Sequence, residues 1–238
     1  MEDSVIFSKE EQAVHQLILK AYALKEPGLF FGKMGVAIAC FDYGKRLGNQ
    51  VITDLGDDLI DGILEEVDYR THWNFATGLC GIAWGIEYLM QHKYVQCNSN
   101  AVCGDLDKSV ESVCIHRMED LSIDTGIEGL LHYVLMRIKG SLLQNNVIPF
   151  TVDFLDDIYS KINVLHSQNV PDSLKQLIEE FIFFRKTGKI KSYSPIISDF
   201  IKSEAFAQEI KSAKTGLKNG LAGWLYAFNS KLSNTLRR

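Results

Sequence analysis

The stretch GLKNGLAGWLYAF, Gly216 to Phe228, sets three glycines at spacings of four and three in an apolar, helix-like segment. Glycine costs roughly 0.8–1 kcal/mol per interior helix position relative to alanine, so its presence needs a reason. A phosphate loop is excluded: the G-K-[ST] ending is missing and no β-branched strand run precedes the segment. A transmembrane small-residue face is excluded too, because the apolar run falls short of the roughly 18–20 residues a span needs. What remains is a helix start that packs very closely on something.

The same pattern recurs along the chain. Gly220 and Gly223 align with Gly32/Gly35 in GLFFGKMGVAIACF, Gly78/Gly81 in NFATGLCGIAWGIEYL and Gly126/Gly129 in SIDTGIEGLLHYVL. The first glycines lie at 32, 78, 126 and 220, so the steps are 46, 48 and 94, the last being twice 47. The missing repeat falls near residue 173, at NVPDSLKQLIEEFIFF. There Pro171 and Asp172 are helix-start residues, and Leu174, Leu177, Ile178 and Phe181 follow helical spacing without the glycine pair.

Amphipathic patterns alternate with these segments. Ser8 and Glu11 form a capping-box signature ahead of Val14, Leu17, Ile18, Ala21 and Leu24. Leu55, Leu59, Ile63 and Leu64 follow, then Val110, Val113 and Cys114, then Leu155, Ile158, Ile162 and Leu165, and last Ile197, Phe200 and Ile201. The expectation is an all-α chain, a single domain over residues 1–238. It would hold ten helices in five hairpins, with amphipathic helices outside and glycine helices inside. Uniformly apolar inner helices favour a closed α/α ring over an open solenoid. The glycines would let each inner helix crowd a neighbour and let the turn take unusual dihedrals.

Composition narrows the function. The chain has 238 residues, a net charge of -5 and a sequence pI near 5.7, which disfavours nucleic-acid binding. The acidic start MEDSVIFSKEEQ lacks a signal-peptide core, no run is long enough for a membrane span, and five cysteines form no dense framework, so a cytoplasmic protein is expected.

On these residues, GLFFGKMGVAIACF, GLCGIAWGIEYL and GLKNGLAGWLYAF, the chain resembles the lanthionine synthetase C-like proteins, in particular a Bacteroidetes-type branch, from about Gly28 to Phe228. The resemblance implies an α/α toroid, here short or incomplete with about five hairpins where seven are common. It also implies a setting in ribosomal peptide modification. Family cyclases use a zinc ion held by two Cys and one His, and a Cys-His pair directly precedes a motif glycine. Here the corresponding pairs are Phe30-Phe31, Ala76-Thr77, Asp124-Thr125 and Lys218-Asn219, none with Cys or His. The expectation is therefore a non-catalytic relative without metal or other cofactor. Its partner would be a precursor peptide or a peptide-modifying enzyme. Two other readings compete: an active toroid enzyme, such as a hydrolase, using different cavity residues, and a plain helical scaffold.

Residues at the inner-helix starts are the candidates for a cavity mouth: Phe31, His72, Trp73, Asn74, Thr77, Asp124, Lys218 and Asn219. For Asp124 N-capping is the simpler account. Cys40 and Cys80 read as buried fillers, and His132 as a satisfied core or seam histidine. Cys97 and Cys103 flank NSNAV, read as a loop. Cys114 and His116 read as lying on different sides of a helix. Asp57, Asp58 and Asp61 read as a solvated helix face. RKTGKIK, with Arg185, Lys186, Lys189 and Lys191, is the one basic cluster; a solvated loop is its simplest account, and docking of an acidic leader peptide the functional one.

Overall fold

In the computed structural model, the residues described are 8–68, 70–144, 146–201, 210 and 213–227. They hold nine helices and no strand: α1 Lys9–Ala21, α2 Lys33–Leu47, α3 Gln50–Glu66, α4 Leu79–Gln91, α5 Ser99–Glu111, α6 Ile127–Gln144, α7 Val152–His166, α8 Asp172–Thr187 and α9 over 221–227. Short 3-10 turns lie at Ile115–Arg117 and Ile197–Asp199. The amphipathic helix expected at Ile197, Phe200 and Ile201 is not formed over those residues: Ile197–Asp199 is this 3-10 turn, and Phe200 and Ile201 follow it as turn and bend. An isolated backbone bridge joins Lys214 and Gly220.

The chain forms two compact units, residues 1–66 with 195–238, and residues 67–194. In the first, α2 packs most extensively on α3 and also touches α1. The α1 start carries the expected capping box between Ser8 and Glu11. In α3, Ile52, Leu55, Leu59 and Ile63 face inward, while Leu64 is 40% exposed and so lies off the inward stripe to which the spacing assigns it. Asp57, Asp58 and Asp61 are exposed, as a solvated face requires. In the second unit α4 packs on α6 and α6 on α8, with α5 against α4 and α6, and α7 against α8. The glycine helices of this unit, α4 and α6, are thus neighbours. They and α2 are buried on nearly every side.

Two local expectations change. NSNAV is a helix start, because Asn98 caps α5 by accepting the Asn100 and Ala101 N–H groups. That helix stops at Glu111, so Val113 and Cys114 lie beyond it. Cys114 and His116 belong to a 3-10 turn, where His116 Nε2 meets Asp157 Oδ1 at 3.1 Å.

A buried ion cluster joins three helices of the second unit. Arg137 on α6 forks onto Asp107 of α5 (Nε to Oδ1 3.0 Å, a second nitrogen to Oδ2 2.6 Å) and also bonds Glu87 of α4. Tyr133 donates to the same Asp107 at 2.5 Å. All three charged groups are almost wholly buried. Gly140 makes room for Glu87: a Cβ there would stand 2.0 Å from Glu87 Oε2.

Candidate functional site

The four glycine motifs build one loop, repeated. The residue after the first glycine donates its N–H to a carbonyl seven positions earlier: Lys33 to Glu26 (2.7 Å), Leu79 to His72 (2.9 Å), Ile127 to Asp120 (2.9 Å) and Leu221 to Lys214 (2.8 Å). In three of the four repeats the next residue does the same, Met34 to Pro27, Cys80 to Trp73 and Ala222 to Thr215. The loop carbonyls therefore satisfy donors that a helix N-terminus would otherwise leave unpaired.

This geometry explains the glycines, and corrects the expectation about them. Gly32 (φ -120°, ψ -168°) and Gly78 (φ -116°, ψ -161°) are extended, a conformation open to any residue. The constraint is space. A Cβ on Gly32, Gly78 or Gly126 would stand 2.3, 1.8 or 2.3 Å from the carbonyl oxygen of Glu26, His72 or Asp120. On the second glycines Gly35, Gly129 and Gly223 it would stand 2.1, 2.2 and 1.9 Å from the oxygens of Leu29, Ile123 and Leu217. The closest atoms belong to the glycine's own loop, not to a neighbouring helix. Gly220 meets its own loop at Gly216, and Gly81 is buried in the first turn of α4.

Neighbouring loops are then joined in register. Ala76 N–H donates to the Asp124 carbonyl at 3.0 Å, and Lys218 N–H donates to the Phe30 carbonyl at 2.9 Å. Each of these four residues stands two places before its first glycine. Side contacts match as well, Gly129 lying against Phe75 and Gly35 against Leu217, each three places before its glycine. The last repeat thus meets the first as the second meets the third.

The predicted cavity-mouth residues form parts of these loops. His72 Nδ1 accepts from the Asn74 N–H at 3.2 Å, and Asn74 Oδ1 accepts from both the N–H (2.8 Å) and hydroxyl (3.1 Å) of Thr77. Trp73 leans on the His72 ring at 5.6 Å. The Asp124 carbonyl bridges loops, accepting from the Phe75 (3.2 Å) and Ala76 (3.0 Å) N–H groups. Asp120 ties the same loop: its carbonyl accepts from the Ile127 N–H, and its carboxylate accepts from the Thr125 hydroxyl (2.5 Å) and the Ser122 N–H (2.8 Å), bonds that hold its carboxyl below the usual range. In the other unit the Lys218 ammonium sits 4.9 Å from the centre of the Phe30 ring, and Phe31 is exposed. Asn219 carries a positive φ of 59°. Asparagine tolerates this left-handed conformation because its short polar side chain can bond locally. His72, Trp73, Asn74, Thr77 and Asp124 are brought together in one unit, and Phe31, Lys218 and Asn219 in the other.

A separate concavity of about 710 Å³ lies in the second unit, between the end of α6 and the segment after α8. Lys139, Lys189 and Lys191 line it together with Leu142, Leu143 and Ile190. Half of the basic cluster thus faces a groove. Arg185 instead pairs with Asp156. Burial lowers the Lys139 ammonium below its ordinary value, partly offset by Glu180.

Two buried anchors shape the groove wall. Burial would push the Glu180 carboxyl up, but the Ser192 N–H (3.0 Å), its hydroxyl (2.8 Å) and the Lys191 N–H hold it below the usual value. The Tyr193 hydroxyl donates to the His132 carbonyl (2.8 Å), accepts from Trp84 Nε1 (3.1 Å) and lies 3.0 Å from His132 Nδ1. With the hydroxyl proton on the carbonyl, Nδ1 is the protonated nitrogen. His132 is half-buried and its ring is satisfied by Tyr193, within the core-or-seam reading, and burial pushes the ring down to about 3. Composition hides these anchors, and it hides the ion cluster as well. For the cluster a signal existed: Glu87 and Arg137 stand in otherwise apolar helix runs, where a charge requires a partner.

Cys40, Cys80 and Cys103 are buried, and burial raises all three thiols. Among the described residues no group of three metal-binding side chains converges, and no helix is long and apolar enough to cross a membrane. No protein-family profile, curated protein or solved structure matches this chain.

Proposed function

We propose that the chain is a lanthionine synthetase C-like α/α toroid of five repeats that binds a peptide and lacks the zinc cyclase site. The observation that carries the ring is the register of the loops: the fifth repeat donates to the first at 2.9 Å in the position where the second donates to the third at 3.0 Å. An open array would leave its terminal repeats without such a partner. The binding role follows from the resemblance, and the lack of a cyclase site from the residues around the helix starts. His72, Asn74 and Thr77 are engaged with one another, and the cyclase's Cys-His pair has no counterpart in any of the four motifs.

Two assays test this. The full chain is presented with an unbiased synthetic peptide library, and enriched sequences are remade and titrated by fluorescence anisotropy. Saturable binding that unlabelled peptide displaces is expected; no binder from the library removes the reading. A model peptide carrying one cysteine and one dehydroalanine is then incubated with and without the protein. Thioether formation at the rate of the peptide alone is expected. Acceleration that depends on protein concentration would favour the enzyme reading.

A further inference from the structure

We infer that the groove between the end of α6 and the 188–194 segment binds an acidic peptide stretch carrying apolar side chains. This rests on the peptide-binding reading and names a site and chemistry for it. Three observations converge. Lys139, Lys189 and Lys191 line one concavity of about 710 Å³. That volume lies within the span of ordinary ligand pockets. Among the described residues neither the Lys189 nor the Lys191 ammonium has a carboxylate partner. The nearby carboxylate, Glu180, accepts from the Lys191 and Ser192 N–H groups of the loop, and among the described residues it pairs with neither the Lys189 nor the Lys191 ammonium.

The apolar component is equally specific. Leu143 lines the groove and is 68% exposed, and Val147 just beyond it is 60% exposed. With Leu142 and Ile190, Leu143 offers an apolar floor beside the lysines. A small free anion fits this setting poorly. Two helix C-termini, those of α6 and α8, flank the groove, and their carbonyl ends repel concentrated negative charge. Carboxylates spaced along a chain reach the ammonium groups on their flexible stems while apolar neighbours cover the leucines.

The test uses the full chain and a short fluorescein-labelled peptide of Glu, Leu and Ser, followed by anisotropy. A matched peptide with Gln for Glu is the control. Binding of the Glu peptide is expected, with a loss of about tenfold in the double variant Lys189→Glu/Lys191→Glu, one decade being about 1.4 kcal/mol. Lys189→Arg/Lys191→Arg retains binding, and added salt weakens it. Both positions lie at the surface, and unchanged thermal melting confirms folding. Equal affinity for the Gln peptide overturns the proposal, as does a charge-reversed variant that binds like wild type. Displacement by inorganic phosphate beyond that of sodium chloride at equal ionic strength overturns it in favour of a small-anion site. If library-selected peptides bind wild type and the charge-reversed variant alike, the groove assignment fails while peptide binding stands. If no peptide binds wild type, both fall.

Discussion

The starts of α4 and α6 differ from the start of α8, although α6 packs on both of the other helices. At α4 and α6 a loop folds back over a glycine, and its carbonyls meet Leu79 and Ile127 seven positions on. The helix that follows is buried on nearly every side. At α8 the chain enters through Pro171, which has a φ of -55°, and among the described residues the seven-position closure is not made. Proline's fixed φ suits a helix start. Only one face of α8 is buried, through Leu174, Leu177, Ile178, Phe181 and Phe184. The glycine pair is thus the requirement of a loop, not of the helix. Where the loop is lost the helix survives on its apolar stripe, and it is the segment after this helix that walls the basic groove.

The largest effect is expected at the ion cluster between α4 and α6. Arg137→Met leaves Glu87 and Asp107 buried without their counter-charge. A loss of about 3–5 kcal/mol is therefore expected in urea unfolding. A loss below about 1 kcal/mol, the size of an exposed pair, would mean that the cluster is solvated in solution.

Next comes the loop itself. Gly78→Ala places a Cβ 1.8 Å from the His72 oxygen, and Gly223→Ala places one 1.9 Å from the Leu217 oxygen. Each is expected to cost about 1–3 kcal/mol through overpacking, so alanine alone is harmful. Denaturant midpoints equal to wild type would remove the steric account of the motif.

The pH dependence bears on the packing around Tyr193. His132 is held neutral by burial, its pKa pushed down from 6.5 to about 3, so the unfolded chain binds more protons between those values. The folded state therefore loses stability as pH falls through that window, by up to about 1.4 kcal/mol per pH unit for one proton. In His132→Asn this component of the slope disappears; an unchanged slope in chemical unfolding from pH 7 to 4 would show that the ring is solvated.

The smallest effect is expected at the glycine-free repeat. Lys175 lies on the exposed side of α8. Lys175→Ala should change stability by only about ±0.5 kcal/mol, as surface substitutions away from special features do. A loss near that of Gly78→Ala would mean that this start, too, carries a specific loop contact.

The all-helical class is legible because apolar residues recur at helical spacing and the glycine pairs return at a near-constant step through the third motif. The place of each glycine-helix start is legible for the same reason. The helix at Pro171 can be read without glycines because Leu174, Leu177, Ile178 and Phe181 carry a complete stripe. The cap at Asn98 is not legible, because a polar run reads as a loop until its side chain is seen on the Asn100 and Ala101 N–H groups. The candidate groove is half legible: the lysines of RKTGKIK stand out, but the facing Lys139 and Leu143 do not.

By itself the sequence determined periodicity, helix type and the absence of the Cys-His pair, since these depend on residue type and spacing along one chain. Only the tertiary structure decided what each glycine makes room for, which loops pair, that Arg137 meets Glu87 and Asp107, and that Lys139, Lys189 and Lys191 share a groove. Most of those are distances between residues far apart in the chain, and no local pattern encodes them. They are set when apolar faces pack and every buried polar group must find its partner.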